Sequence, residues 1–177
     1  MIGKIKRTFT FLDKEMFNSL YKALVQTHLE YGNVIWSPHL KRQSVTIERV
    51  QRRATRLMSS LRDLSYTERL KKLDVPTSKY RRFRDDLIQV YKIINQIDDL
   101  KVHTFFTPVK LDITRNSEYK LCVEYSKTDV RQFTFSNRIA PAWNALSLTT
   151  KSAPNINKCK NLLDRDPSLL KNKFDCD

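Results

Sequence analysis

The sequence predicts a mainly α-helical protein, in which a helical bundle is followed by a small α+β segment with short extended strands. In the first half of the chain, apolar residues recur at three- and four-residue spacing, which is the period of an amphipathic helix. Only two glycines occur among 177 residues, whereas tight hairpins depend on glycine in their turns. Towards the C-terminal half the apolar residues alternate instead, which is typical of half-buried strands. We therefore predict two regions, residues 1–97 and residues 98–177.

Four helices are predicted in residues 1–97. The first begins after Asp13, a suitable N-cap, and is expected to end near Gly32. The second extends from about Arg42 to Leu61. A short third helix over Tyr66–Leu73 follows a pair with capping-box spacing, Ser65 and Glu68. A long fourth helix begins after the Val-Pro dipeptide at residues 75–76 and carries the apolar stripe Tyr80, Phe83, Leu87, Val90, Tyr91 and Ile94.

Residues 98–177 contain shorter elements. Alternating apolar and polar residues predict extended segments near residues 120–124 and 131–135. Two short helices are predicted near residues 138–146 and 155–163, where the helical period returns.

The charge of the chain indicates an anionic partner. Thirty-three lysines and arginines against 19 acidic residues give a net charge of +14. Residues 1–97 hold 20 basic and 9 acidic side chains, whereas the remainder holds 13 and 10. Such an excess favours nucleic acid first and a membrane surface second. No signal-peptide core and no apolar run of about 20 residues is present, which predicts a cytoplasmic or nuclear protein that does not span a membrane.

The second helix concentrates this charge on one side. At about 100° per residue, its apolar residues Ile47, Val50, Ala54, Leu57, Met58 and Leu61 fall together. Five arginines, here called the arginine face, project from the opposite side: Arg42, Arg49, Arg52, Arg53 and Arg56. Glu48 lies at the edge of this face.

Two interpretations of the arginine face remain open. It is either a solvated outer surface or a surface that binds phosphates. Neighbouring like charges repel one another, and a merely solvated face would intersperse glutamates. A guanidinium group can also donate two hydrogen bonds to one phosphate at once, a bidentate contact. We therefore predict that the arginine face binds nucleic acid independently of sequence. The alternative is a non-catalytic structural or interaction module whose basic face binds an acidic protein or an anionic lipid.

No catalytic or metal-binding residue is predicted. "FRDD", residues 83–86, matches the bare metal-binding pattern of reverse transcriptases, but it lies in a helical stripe and not in a β-hairpin. In the same helix, Arg81 with Asp85 and Arg82 with Asp86 have the i,i+4 spacing of intrahelical ion pairs. The three histidines lack metal-ligand spacing with one another or with the scattered cysteines. We therefore predict that the protein binds no metal and no cofactor. The cysteines are predicted to be reduced.

Several motifs together resemble a known family. They are "LYKALVQTHLEYGNVIWSPH", "IERVQRRATRLM", "YTERLKKLDVPTSKYRRFRDDLIQVYKII", "FSNRIAPAWNAL" and "NLLD". In this order they resemble the region downstream of the palm in jockey-like non-LTR retrotransposon reverse transcriptases, which are RNA-directed DNA polymerases. The likeness covers nearly the whole chain. It departs from the family pattern at "WNALS", which lacks the usual following proline, and at Cys159, where phenylalanine is common.

The resemblance carries its own implications. Residues 1–97 would be a thumb, which grips the template–primer or RNA/DNA hybrid, and residues 98–177 the start of a connection segment. The palm with its catalytic carboxylates would lie upstream, so this fragment would be inactive alone and the missing palm would be a partner.

A thumb separated from its palm would also expose an apolar surface, expected around Phe9, Phe11 and Phe17. Tyr31 and Trp36 are candidates for stacking on bases. Both also suit a core, and for Trp36 a core position is favoured.

Overall fold

The computed structural model describes residues 1–109 and 119–175. These residues form two compact units, one comprising Met1–Arg82 with residues 171–175 and the other formed by the described part of Phe83–Leu170. The division falls inside a helix, between residues 82 and 83, whereas the sequence analysis placed it near residue 97.

The first unit is built from helices joined by short turns. The helices are α1 (Ile2–Thr8), α2 (Lys14–Tyr21), α3 (Thr27–Glu30), α4 (Asn33–Trp36), α5 (Lys41–Thr55), α6 (Tyr66–Leu73) and the first residues of α7 (Ser78–Ile94). A π-helical turn over Lys22–Gln26 joins α2 to α3 in one continuous segment. A 3₁₀ turn over Ser59–Leu61 lies between α5 and α6.

The described part of the second unit is also helical. It contains the remainder of α7, α8 (Val102–Phe105), α9 (Asp129–Gln132), α10 (Phe135–Ala145), α11 (Leu148–Lys151), α12 (Ile156–Leu163) and α13 (Pro167–Leu170). The prediction of a mainly helical protein is therefore confirmed for the described residues.

The predicted strands are wrong within the described residues. Residues 131 and 132 end α9, residues 133 and 134 form a turn, and Phe135 begins α10, because the amides of Gln132 and Phe133 find local acceptors four residues earlier. Near residues 120–124 the backbone forms one antiparallel bridge, between Pro108 and Leu121, and no continuous ladder. A strand needs a paired neighbour as well as an alternating pattern, and the sequence pattern does not report the neighbour. Residues 110–118, which the alternating segment includes, lie outside the described residues.

Local signals placed most helix boundaries in the first unit correctly. The Asp13 carboxylate accepts a hydrogen bond from the Met16 amide at 2.7 Å, and Gly32 adopts the left-handed conformation. Helix α6 has the predicted bounds, and Ser65 and Glu68 form a complete capping box. Helix α5, in contrast, ends six residues before the predicted Leu61, because Met58 is extended and the serines that follow form the 3₁₀ turn.

Each unit buries apolar side chains. The core of the first unit contains Ile5, Phe17, Tyr21, Val25, Ala54, Met58, Leu61, Tyr66, Leu70, Leu73 and Val75. Phe17 therefore belongs to the core and Phe9 is partly buried, so only Phe11 of the three phenylalanines expected on an uncovered surface is strongly exposed. In the second unit, Trp143 is fully buried and its indole Nε1 donates to the carbonyl oxygen of Tyr119 at 2.8 Å.

The second unit contains two thiols of contrasting reactivity. Cys122 is exposed, whereas Cys159 is buried in α12 and burial raises the pKa of its thiol to about 11. At about pH 8 only roughly one Cys159 in a thousand is the reactive thiolate. We expect iodoacetamide to modify Cys122 in the native protein and Cys159 only after denaturation, as measured by peptide mass spectrometry. Equal rates for both thiols in the native protein would contradict this packing.

Candidate nucleic-acid interface

The arginine face lies on the surface of the first unit. All five side chains are exposed: Arg42, Arg49, Arg52, Arg53 and Arg56. Four of them project from α5, and Arg56 is its C-cap residue. Within the described residues, none of the five forms an ion pair with a carboxylate. Helix α5 is about 22 Å long, since each residue adds about 1.5 Å, so the charge is spread along an extended surface.

Two buried polar side chains help to set which side of α5 faces the core. Gln51 and Thr55 are fully buried beside Ala54, whereas Ile47, Val50 and Leu57 of the predicted apolar face are only partly buried. The most buried side of α5 therefore includes two polar residues besides the predicted Ala54, and the burial of these two was not predicted. It nevertheless leaves the arginines on the outer side of the helix.

The buried Gln51 is held by hydrogen bonds from two helices. The Tyr21 hydroxyl and the Arg81 guanidinium each donate to Gln51 Oε1 at 3.0 Å. The Gln51 amide donates to the carbonyl oxygen of Pro76 at 2.8 Å. Burial raises the pKa of the Tyr21 hydroxyl, which keeps it protonated as a donor. These bonds connect α2, α5 and the start of α7, and so fix the rotation of α5.

Arg81 is neutralised by a residue distant in sequence. Its guanidinium forms a buried ion pair with Glu30 and also donates to the Tyr21 hydroxyl at 3.1 Å. Burial alone lowers the pKa of Arg81, but Tyr21 and Glu30 together raise it above its usual value. The predicted pairing of Arg81 with Asp85 is wrong, because Arg81 turns into the first unit towards Glu30.

Glu48, the carboxylate closest in sequence to the arginine face, is occupied elsewhere. It accepts hydrogen bonds from the amide of Ser78 at 3.0 Å and from the Ser78 hydroxyl at 2.7 Å. The Tyr66 hydroxyl also donates to it. A carboxylate in this position accepts a hydrogen bond from an amide that has no partner within the helix. Its negative charge also interacts favourably with the positive N-terminal end of the α7 dipole. Glu48 therefore caps α7, and the arginine face keeps its charge.

Arg52 has a second role. Its guanidinium lies over the ring of Tyr66, 4.7 Å from the ring centroid. This cation–π contact positions Arg52 on the surface and makes it part of the packing of α5 against α6. The other four members of the arginine face are thus better suited to mutational tests of binding.

Two aromatic side chains that precede α5 in the sequence are exposed. Tyr31 is 83% exposed and Trp36 is 42% exposed, so the core position favoured for Trp36 is wrong. The Trp36 indole Nε1 donates to the carbonyl oxygen of Tyr31, which satisfies its polar group without burial. Ile35, between them in sequence, is 89% exposed.

The two carboxylates of "FRDD" lie on α7, where Asp85 is partly buried and Asp86 is buried. Asp86 is paired with Arg138, whose Nη2 lies 3.0 Å from Asp86 Oδ1. Across the described residues, no group of three or more His, Cys, Asp or Glu side chains could hold a metal ion. No helix within residues 1–109 and 119–175 is long and apolar enough to cross a bilayer.

No protein-family model, curated protein or solved structure matches this chain.

Proposed function

We propose that the chain is a thumb-like, non-catalytic fragment of a jockey-like non-LTR retrotransposon reverse transcriptase that binds nucleic acid independently of sequence. The family assignment rests on the linked motifs of the sequence. The binding activity rests on one observation, the exposed arginine face without carboxylate partners in the described residues.

The arrangement of the arginines favours contact with the phosphate backbone. They extend along one side of a helix, whereas a sequence-reading helix needs side chains that reach base edges in a groove. Arginine binds phosphate through two nitrogen atoms at once, which suits backbone contacts. The expected ligands are a template–primer duplex or an RNA/DNA hybrid, bound without preference for base sequence.

Exposed Tyr31 and Trp36 add a second mode of contact. Aromatic rings stack on unpaired bases with little regard to sequence. We therefore expect duplexes with a single-stranded overhang to bind more tightly than blunt duplexes of the same length.

Salt titration of binding tests the proposal. With five phosphate contacts, the log–log slope of the association constant against salt is expected to be about −4.5, because each contact contributes about −0.9. Between about 50 and 200 mM salt the affinity should fall about 500-fold. Fluorescence anisotropy with two duplexes of unrelated sequence and one RNA/DNA hybrid measures this slope.

The outcomes separate the proposal from its alternative. Similar affinities and similar steep slopes for all three ligands support backbone binding. Absence of binding at about 50 mM salt, where backbone contacts are strong, would contradict it. Binding to an acidic protein but to no nucleic acid would favour the interaction module.

A further inference from the structure

A cavity whose lining includes four basic residues lies at the C-terminal end of the arginine face. Its volume is about 380 Å³. Its lining comes from three segments of the first unit: Ile2, Gly3 and Lys6 of α1, Arg53, Arg56 and Leu57 at the end of α5, and Arg62 after the 3₁₀ turn.

The lining combines charge with apolar surface. Four of the residues that line it are basic, Lys6, Arg53, Arg56 and Arg62, and no carboxylate lines it among the described residues. Ile2 and Leu57 supply apolar side chains. The volume lies near the lower end of the roughly 300–1,000 Å³ typical of small-molecule sites. A compact anion with an apolar portion fits this chemistry.

The charge of the cavity favours a terminal phosphate over an internal one. A phosphomonoester carries a charge of about −1.5 to −2 near neutral pH. A phosphodiester within a strand carries about one negative charge. Four basic residues at one concave site therefore favour the monoester, whereas basic residues spread along a helix suit successive diesters.

The position of the cavity connects it to the proposed binding surface. Arg53 and Arg56 belong both to the arginine face and to the cavity lining. A strand bound along α5 would therefore bring its end to this site. We propose that the cavity binds the terminal nucleotide of a nucleic-acid strand through its terminal phosphate, with the sugar or base against the apolar lining. This inference rests on the proposed function and specifies the strand end as its ligand.

End-modified oligonucleotides provide the first test. Three oligonucleotides of one sequence, carrying a 5′-phosphate, a 3′-phosphate or hydroxyls only, are compared by competition anisotropy with the intact chain. We expect one phosphorylated form to bind at least about ten-fold more tightly than the hydroxyl form, because charge-assisted hydrogen bonds are stronger than hydrogen bonds between neutral groups. Equal binding of all three overturns the terminal-phosphate site and leaves the proposed function standing. If none binds, the proposed function itself fails.

Charge variants locate the preference. Lys6→Gln with Arg62→Gln removes the two cavity cations that lie outside the arginine face. In this double variant the phosphorylated and hydroxyl forms should bind with about equal affinity. Most of the affinity for the hydroxyl form should be retained. The matched control is Arg42→Gln with Arg49→Gln, which should weaken both ligands and retain the preference.

Gly3 offers a test without any change in charge. An added Cβ at this position would meet no atom within 4 Å, so the backbone tolerates a side chain there. Gly3→Phe should occupy space in the cavity and abolish the end preference, whereas Gly3→Ala should retain it. Circular dichroism confirms that each variant is folded.

Two results overturn the inference. One is an end preference that persists in both Lys6→Gln/Arg62→Gln and Gly3→Phe. The other is that no end preference is found, while the protein binds phosphatidylserine vesicles and the same variants lose that binding. This result would assign the cavity to a lipid headgroup.

Discussion

A variant that replaces four members of the arginine face is expected to lose at least about 100-fold in affinity for duplex DNA at low salt, because each lost phosphate contact removes counterion release. The substitutions are Arg42→Gln, Arg49→Gln, Arg53→Gln and Arg56→Gln. Arg52 is retained because its guanidinium packs over the Tyr66 ring at 4.7 Å. The salt slope should fall from about −4.5 to about −1. Anisotropy titrations over a range of salt concentrations measure both quantities.

The matched control removes the same amount of charge from other exposed positions of the first unit. It replaces four lysines by glutamine: Lys14, Lys22, Lys71 and Lys72. This control should change affinity by only a few-fold, through the weaker long-range attraction of the whole protein. Equal losses in the two variants would show that net charge alone drives binding. Loss of helical circular dichroism in the arginine variant alone would assign the face a structural role.

The second large effect concerns stability. Glu30→Ala is expected to destabilise the first unit by about 3 kcal/mol, because it leaves the Arg81 charge buried without its partner. The side chains of Arg81 and Glu30 are only 10% and 15% exposed, so water compensates little for the loss. Urea denaturation followed by circular dichroism measures the free energy of unfolding.

A double-mutant cycle isolates the ion pair from its surroundings. Arg81→Met removes the cation and leaves Glu30 with the amide of Gln26, which donates to it at 2.8 Å. The double variant Glu30→Ala/Arg81→Met should be less destabilised than the sum of the single variants, because no uncompensated charge remains. Glu30→Gln, which retains the size of the side chain, serves as the isosteric control. Additive effects would contradict a coupled buried pair.

The stability and binding predictions are linked through the orientation of α5. Arg81 holds Gln51, and Gln51 fixes which side of α5 faces the core. The Glu30–Arg81 pair is thus placed to maintain the outward position of the arginine face. Glu30→Ala should consequently broaden the conformations of α5 at temperatures well below unfolding, which amide hydrogen exchange would detect.

Elements with local signals were predictable from the sequence. Helix α6 is an example, since its N-cap serine and its capping glutamate lie within four residues of each other. The exposure of the arginines was also predictable, because a helix that places five guanidinium groups on one side cannot bury them without partners.

Elements that depend on tertiary contacts were not predictable. Of the predicted apolar face, Ala54, Met58 and Leu61 are buried, but Ile47, Val50 and Leu57 are only partly buried, and the polar Gln51 and Thr55 are fully buried as well. Their burial is compensated by hydrogen bonds from partners such as Tyr21, which is 30 residues distant from Gln51. The same holds for the pairing of Arg81 with Glu30 across 51 residues. Single-sequence patterns report periodicity, and they do not report such partners.

The basic cavity was also absent from the sequence pattern. Lys6 and Arg62 are separated by most of the first unit in sequence, and only the packing of α1 beside the end of α5 brings them to one site.

The most direct test of the central claim observes the arginine side chains themselves. Nitrogen–proton correlation NMR of the arginine Nε–H groups, recorded as duplex DNA is added, reports which guanidinium groups bind phosphate. The resonances expected to shift are those of the five exposed arginines of the arginine face, Arg42, Arg49, Arg52, Arg53 and Arg56, while those of the buried Arg69 and Arg81 remain in place. Unshifted resonances on the arginine face, with the largest shifts at arginines of the second unit, would contradict the proposal.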